Sequence, residues 1–359
     1  MGPSTGVTTA GGAAPADRGA QWGKAKRRPN IMDVARQAGV SRATVSRVLN
    51  GGRSVTEAKV ARVVEAVEAL GFSVNETARH LRKGRTGSVA FVISEKHEQL
   101  FEDPNFGIRV KAFTQHLEKL GLHLSVSIAQ DRQEEAFLGS YLTAGHVDGV
   151  LLAMVNEGDP LLAGLLEAGV PLVVLGRPPD GLEKTVPWAA MDDEVAAYEA
   201  TCFLTGQGRR KVGTITGPLE GTSGQDRLKG YRRALGRSYR KGLVVSGDWS
   251  LESGWRGTEA LLRRHADIDG LFVASDLMAA GAVKALKLAG RCVPLDVAVI
   301  GVDDSAAALA TEPSLTTMRN PFEETAEAAV HLLYERMSGR PSGPRHLLLP
   351  SLLVRRGSA

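Results

Sequence analysis

What most limits the folds open to this chain is a change of period at residue 86. Beyond it, apolar runs of strand character alternate with helical stretches such as Phe106 to Leu120 and Asp276 to Ala289. The runs are Ser88 to Ile93, Leu122 to Ile128, Gly149 to Val155, Pro171 to Leu175, Lys211 to Thr216, Leu243 to Val245, Gly270 to Ala274 and Val297 to Val302. Strand and helix in strict alternation imply parallel sheets covered on both faces, the arrangement in which strands are apolar throughout. The 273 residues beyond Thr86 are too many for one small open sheet. In such sheets a ligand lies beyond the carboxyl ends of the strands, so the residues that follow each run are the binding candidates.

Residues 1–86 are built differently. They hold 15 Lys and Arg against six Asp and Glu, a net of +9, whereas the other 273 residues hold 29 against 34, a net of −5. A basic head on an acidic body points to a polyanionic partner, and nucleic acid is the usual one. Met1 to Gly23 is rich in Gly, Ala, Thr and Pro and leads into Lys24-Ala25-Lys26-Arg27-Arg28, so residues 1–28 read as a disordered basic arm. A helix is expected from Ile31, with Ile31, Val34, Ala35 and Ala38 on one face, Asn30 as its cap and Gly39 as its stop. Ser41 caps a second helix, Arg42 to Leu49, whose apolar side is Val45, Val48 and Leu49. A third runs from about Thr56 to Leu70 and stops at Gly71.

Two short helices joined by a tight turn and followed by a third form a helix-turn-helix unit, whose second helix enters the major groove. The outward positions of that second helix are hydroxyls and guanidinium groups. Hydroxyls suit phosphate oxygens, and arginine suits guanine O6 and N7. The twenty residues from Ile31-Met32-Asp33-Val34-Ala35 to Arg47-Val48-Leu49-Asn50 closely resemble the DNA-binding headpiece of the LacI/GalR family of bacterial transcription regulators. The resemblance extends over essentially Pro29 to Ala359. It implies an α/β fold: a helix-turn-helix headpiece (29–73), a hinge helix (74–86) and two Rossmann-like subdomains of the periplasmic-binding-protein type (87–359), with the chain crossing between them near Trp188, Arg319 and Pro344. It also assigns Arg42, Ala43 and Arg47 to base reading and Ser41, Thr44, Ser46 and Asn50 mainly to the DNA backbone, and Asn30 joins these DNA-binding candidates. Asn75 to Lys83 matches the family's hinge helix. There Leu81 would be the wedge between base pairs, Ala78 would allow close approach of the paired helices, and Asn75 would meet the backbone. Val74 stands where the family usually has proline.

The residues after the apolar runs include Ser94, Glu95, Asp131, Asn156, Arg177, Asp248, Trp249, Ser275, Asp276, Asp303 and Asp304. Carboxylates, an arginine and an indole at one mouth suit a polyhydroxylated ligand: charged groups hold vicinal hydroxyls and the indole covers a sugar face. Resemblance singles out Arg227, Trp249, Ser275, Asp276 and Asp303 as effector-pocket positions. Asp276 is equally able to cap a helix, and Asp193 stands where the family has asparagine, which leaves its role open. The segment Ile93-Ser94-Glu95 with Phe101-Glu102-Asp103-Pro104-Asn105-Phe106 looks most like the family's cellobiose-responsive repressors, which adds Phe101 and Phe106 as stacking surfaces. Core packing is an equal alternative for Phe106.

An α/β enzyme and an exported solute-binding protein are the rival classes. No P-loop, no HExxH and no GxGxxG after a strand is present, and the GxSxG at Gly2 to Gly6 falls in the arm. A signal peptide is not expected at residues 1–20, nor is a membrane span, and the apolar runs are far shorter than the ~20 residues a bilayer needs. Cys202 and Cys292 are isolated, so neither a disulfide framework nor a zinc site is expected. The reading is a cytoplasmic, homodimeric, non-enzymatic repressor that binds double-stranded operator DNA and a small carbohydrate, without metal or cofactor. A tetramer through a C-terminal coiled coil is not expected.

Overall fold

The computed structural model of the chain describes residues 29–49, 55–72, 85–94, 100–101, 103–340 and 346–359. The basic arm, Asn50, nearly all of the expected hinge with Val74, Asn75, Ala78 and Leu81, and Glu95 lie outside the described residues. The chain divides into two units, 1–76 and 77–359.

Local signals set the first unit. Helix α1 (Ile31–Ala38) starts at Asn30, whose Oδ1 accepts from the Met32 and Asp33 amides (2.8 and 3.2 Å) while Asp33 Oδ2 accepts from the Asn30 amide (2.9 Å). This reciprocal capping satisfies amides that the first turn leaves unpaired. Gly39, at φ 61°, ends the helix in the left-handed region that a side chain disfavours. Ser41 Oγ accepts from the Thr44 amide (3.2 Å) and starts α2 (Arg42–Leu49). Thr56 sits at the N-cap of α3 (Glu57–Leu70). Val34, Ala35 and Ala38 pack with Val45 and with Val63 and Ala66 of α3. Val60 and Val64, in contrast, lie on the outer face of α3.

The second unit is two lobes. In chain order its elements are β1 (Ser88–Ser94), α4 (Phe106–Glu118), β2 (His123–Ala129), α5 (Arg132–Thr143), β3 (Gly149–Ala153), α6 (Pro160–Glu167), β4 (Leu172–Leu175), β5 (Trp188–Met191), α7 (Asp193–Gly206), β6 (Val212–Thr216), α8 (Thr222–Leu235) and β7 (Val244–Ser246). Then follow α9 (Leu251–Arg264), β8 (Gly270–Val273), α10 (Asp276–Leu288), β9 (Ala298–Asp303), α11 (Ala306–Ala310), β10 (Thr316–Arg319), α12 (Phe322–Met337), β11 (His346–Leu349) and β12 (Leu352–Val354). Lobe 1 holds the sheet β11-β5-β4-β3-β1-β2 and lobe 2 the sheet β12-β10-β9-β8-β6-β7. Pairing is parallel except between β10 and β12. Each sheet has an apolar core on either face: one around Phe91, Phe113 and Leu333, a second around Leu152, Leu165 and Trp188, and in lobe 2 those around Leu271 and Met278 and around Tyr231 and Phe272.

The chain crosses between lobes three times. The first two crossings, after Met191 and after Arg319, fall close to the expected places. The third is displaced from Pro344, because β11 still pairs with β5 in the first sheet, so the chain leaves lobe 1 only after Leu349. The indole of Trp188 stacks on His346 (5.1 Å, 13°) across that pair.

Lobe 2 depends on a close helix crossing. A Cβ on Gly254 of α9 would lie 1.9 Å from the Met278 carbonyl oxygen of α10, and one on Gly281 would lie 2.0 Å from the Leu251 carbonyl. Neither neighbour is a flexible side-chain end, so the two helices touch backbone to backbone. Gly254→Ala is expected to cost about 1–3 kcal/mol through forced separation of α9 and α10, lowering Tm by about 2–4 °C per kcal/mol. Gly164→Ala, on α6 with open space at its Cβ, is expected to be neutral or slightly stabilising. Thermal unfolding of both variants checks this.

Candidate functional site

The order of each sheet reverses once, between β1 and β3 in lobe 1 and between β6 and β8 in lobe 2. A crevice opens at such a switch point beyond the strand ends. The two crevices face each other across a cavity of about 370 Å³, lined from both lobes. The backbone there is strained. Met154 (φ 60°), Trp249 (φ 71°) and Asp303 (φ 119°) are left-handed without being glycine and all three line the cavity; Asp304 (φ 59°) follows directly. Such conformations persist where the surroundings over-determine them, and they gather at ligand sites. The Trp249 indole lies flat against Gly217, where a Cβ would come within 2.0 Å of its ring.

Arg227, on α8, organises the lobe 2 side. It is 6% exposed, and its Nε donates to Asp193 Oδ1 (2.7 Å). Its Nη1 donates to the Ala274 carbonyl at the end of β8, and its guanidinium lies 5.4 Å from the centre of the Trp249 ring. Asp193, in the first turn of α7, is therefore the buried counter-charge of Arg227, a role that its place in the sequence left open. Its neighbour Asp192 caps α7 by accepting from the Val195 amide (3.0 Å). Burial raises the Asp193 carboxyl, and the Arg227 charge opposes that rise. Asp303 is pushed up to about 6 by desolvation, with Arg227 again pulling it down.

Ser275 lines the cavity and caps α10, its Oγ accepting from the Met278 amide (3.2 Å). Asp276 departs from expectation: it neither caps nor lines the cavity. It is fully buried behind the wall, where Oδ2 accepts from the Ser305 amide (2.8 Å) and Oδ1 from Thr317 Oγ1 (2.6 Å), tying α10 to β10 and to the loop after β9. Burial, and then the negative charge of Asp303, push its carboxyl up to about 7. Asp304 is taken by an ion pair with Arg356, and Asp131 by the cap of α5.

On the lobe 1 side Ser94, Asn156 and Arg177 line the cavity, together with Asp103, Asn105 and Arg109, which the strand-end reading does not single out. Ser94 Oγ and Asn105 Oδ1 are buried without a hydrogen-bond partner among the described residues. Phe101 and Phe106, expected as stacking surfaces, lie outside the cavity lining. Phe101 is 67% exposed, Phe106 packs against the lobe 1 core, the two rings meet edge to face at 5.8 Å, and neither lines the cavity. The signal was in Asp103-Pro104-Asn105-Phe106, but the polar members point inward and the aromatic ones do not.

In the first unit, α2 places Ser41, Arg42, Ala43 and Arg47 on its exposed side, with Thr44 and Ser46 half-buried beside them and Val45 buried beneath. Ser41 Oγ also meets Thr44 Oγ1 (2.9 Å). Asn30 spends its Oδ1 on the α1 cap.

Residues 30–75 match the family model for bacterial regulatory proteins of the lacI family, and residues 201–359 match that for a periplasmic binding protein-like domain. The HTH-type transcriptional regulator CelR of Thermobifida fusca is 40% identical over 336 residues, covering 93% of this chain and 99% of CelR. The chain belongs to the LacI family of bacterial regulatory proteins. Its fold is that of the family, with a helix-turn-helix headpiece and two parallel-sheet lobes of the periplasmic-binding type. A structure of a CelR–cellobiose complex superposes with a TM-score of 0.74 at 38% identity, covering 92% of this chain and 100% of that one. The lac repressor dimer bound to operator and an anti-inducer gives 0.80 at 26% identity, covering 92% and 99%. As a LacI-family member the protein is a DNA-binding transcription regulator. Among the described residues no helix is long and apolar enough to cross a membrane, and no group of His, Cys, Asp and Glu is placed to hold a metal ion.

Two expectations follow from the buried charges. Removing Asp193 leaves the Arg227 guanidinium uncompensated, so Asp193→Ala should destabilise the protein by about 3–5 kcal/mol in urea denaturation. Asp276 and Asp303 bind protons more tightly folded than unfolded, because their folded values of about 7 and about 6 exceed the ordinary 3.8. Their contribution to stability therefore falls as pH rises from ~4 to ~7 and levels off above. Asp276→Asn should flatten that slope when denaturation is compared at about pH 5 and about pH 7.5; an unchanged slope would exclude Asp276 as its source.

Proposed function

We propose that this LacI-family regulator is a repressor of sugar-utilisation genes whose operator affinity is set by a cellobiose-class disaccharide held between the lobes. The observation that carries this reading is the cavity. Its volume of about 370 Å³ lies in the range for small-ligand sites, and hydrogen-bonding groups from both lobes converge on an indole face. In the CelR–cellobiose complex a relative of the same architecture holds that sugar.

The effector set is Ser94, Asn105, Arg227, Trp249, Ser275 and Asp303, with Glu95 assigned from its sequence position. Asp303 accepts from sugar hydroxyls, Ser94 and Asn105 meet the ring presented to lobe 1, and Trp249 covers an apolar sugar face. Arg227, fixed by Asp193, directs its remaining donors into the cleft. On the DNA side Arg42, Ala43 and Arg47 read bases. Asn30, Ser41, Thr44, Ser46 and Asn50 hold the phosphate backbone, and residues 74–86, through Asn75, Ala78 and Leu81, serve as the hinge. The basic arm 1–28 adds attraction without sequence preference. The protein acts in the cytoplasm as a homodimer on a pseudo-palindromic operator, since half-sites follow the two-fold axis, and it transforms no substrate.

The test is operator binding by fluorescence anisotropy across a disaccharide panel at fixed salt. A cellobiose-class sugar should change operator affinity about 5- to 150-fold and be recovered chemically unaltered. Indifference to every sugar, or steady turnover, would reject the reading. Arg42→Ala should weaken operator binding by about 1–3 kcal/mol and relax preference at one base pair per half-site. A loss uniform over all sequences would instead make Arg42 a phosphate contact.

A further inference from the structure

Arg177 occupies a strand-end position in lobe 1, and its side chain lines the cavity, yet its guanidinium is already engaged. Nε donates to Asp226 Oδ2 (2.7 Å) and Nη2 to Asp226 Oδ1 (3.0 Å), a two-pronged pair with a carboxylate on α8 of the opposite lobe. Nη1 donates to Asp180 Oδ1 (2.7 Å) within its own loop. The Arg177 backbone joins the same contact, its carbonyl accepting from Thr222 Oγ1 (2.5 Å) in the first turn of α8. One lobe 1 residue thus grips one lobe 2 helix with both main chain and side chain. Arg177 and Asp226 keep only 23% and 15% of their side-chain surface exposed, so the pair is screened less than a surface bridge.

We propose that Arg177 and Asp226 form a latch between the lobes that favours the closed cleft, and that Arg177 does not itself read the ligand. Three chain crossings join the lobes covalently. Arg177 stands two residues beyond β4, which pairs with β5, the strand from whose end the chain first crosses, so the pair adds a noncovalent bond between the lobes beside that crossing. The two-pronged guanidinium–carboxylate bond requires the two lobes at one separation and one orientation, and when the lobes part Asp226 is released to water while Arg177 keeps Asp180. A ligand that touches both lobes and the latch therefore favour the same state. The first makes the second easier, although they share no contact. Asp226 is then a positioning residue for ligand capture. Loss of Asp226, which does not line the cavity, should then weaken ligand capture as loss of Arg177 does, which would not hold if Arg177 acted only by bonding the ligand.

The test has two arms, of which only the second rests on the sugar reading proposed above. In the first, spin labels are placed on the exposed residues Glu157 of lobe 1 and Leu219 of lobe 2, in a background with Cys202 and Cys292 replaced by serine. The interlobe distance is then measured by pulsed electron resonance without ligand. The parent should give one short, narrow population. Arg177→Ala and Asp226→Ala should each add a longer, broader one, whereas Asp180→Ala, which leaves the interlobe pair in place, should keep the parent distribution. Unchanged distances in either single variant would overturn the latch. In the second arm, cellobiose is titrated calorimetrically: both single variants should bind at least about fivefold more weakly, and Asp180→Ala should bind as the parent does. A loss confined to Arg177→Ala would make that residue a ligand contact and overturn the proposal. A parent that binds no disaccharide would remove the sugar reading, while the distance arm still decides the latch.

Discussion

The cleft is built around one buried positive charge. Taking a guanidinium out of water is tolerable only where carboxylates and carbonyls replace the water, and Arg227 draws its replacements from separate parts of lobe 2: Asp193 from α7 and the Ala274 carbonyl from the end of β8. The indole of Trp249, from beyond β7, lies over the same group, and Asp303 at the end of β9 adds its field. Three strand ends and two helices must converge for this charge to be accommodated. Their convergence forms the wall of the cavity, in which Trp249 and Asp303 take up their left-handed backbone.

Around that wall the division of labour is electrostatic. Residues 1–86 carry a net +9 and the remainder a net −5, so the head is attracted to DNA and the body is not. Control then reduces to one coordinate, the closure of two lobes that share three crossings. Ligand groups on either side of the cleft and the Arg177–Asp226 pair all act on that coordinate. A sugar that met one lobe only would bind without being reported, because an effector can shift an equilibrium only by its difference in affinity between the two states.

Much of this was legible in the sequence, and the limits are physical. Asn30, Gly39, Ser41 and Gly71 set helix ends through bonds to residues at most five positions away, so the headpiece could be read almost residue by residue. The central strands β1, β3, β4, β6, β8 and β9 are buried on both faces and announce themselves as apolar runs. β5, β10, β11 and β12 escaped notice, because three or four residues such as Thr316-Thr317-Met318-Arg319 become strands only through partners far along the chain. That is why the third crossing was misplaced. In the site, the strand-end rule reached Ser94, Arg177, Trp249, Ser275 and Asp303. It could not show that Asp276 faces the core, that Asp193 neutralises Arg227 or that Asp226 meets Arg177, since each depends on how elements pack. Phe106 enters the lobe 1 core and Phe101 is exposed, so neither ring lines the cavity.

The most direct measurement of the central claim is sugar affinity in two states of the protein. Cellobiose is titrated calorimetrically into the free regulator and again into the regulator saturated with its operator. Linkage requires the two affinities to differ by the same factor by which the sugar changes operator affinity, about 5- to 150-fold. Identical sugar affinities with and without operator would contradict the account, because cavity and headpiece would then be uncoupled.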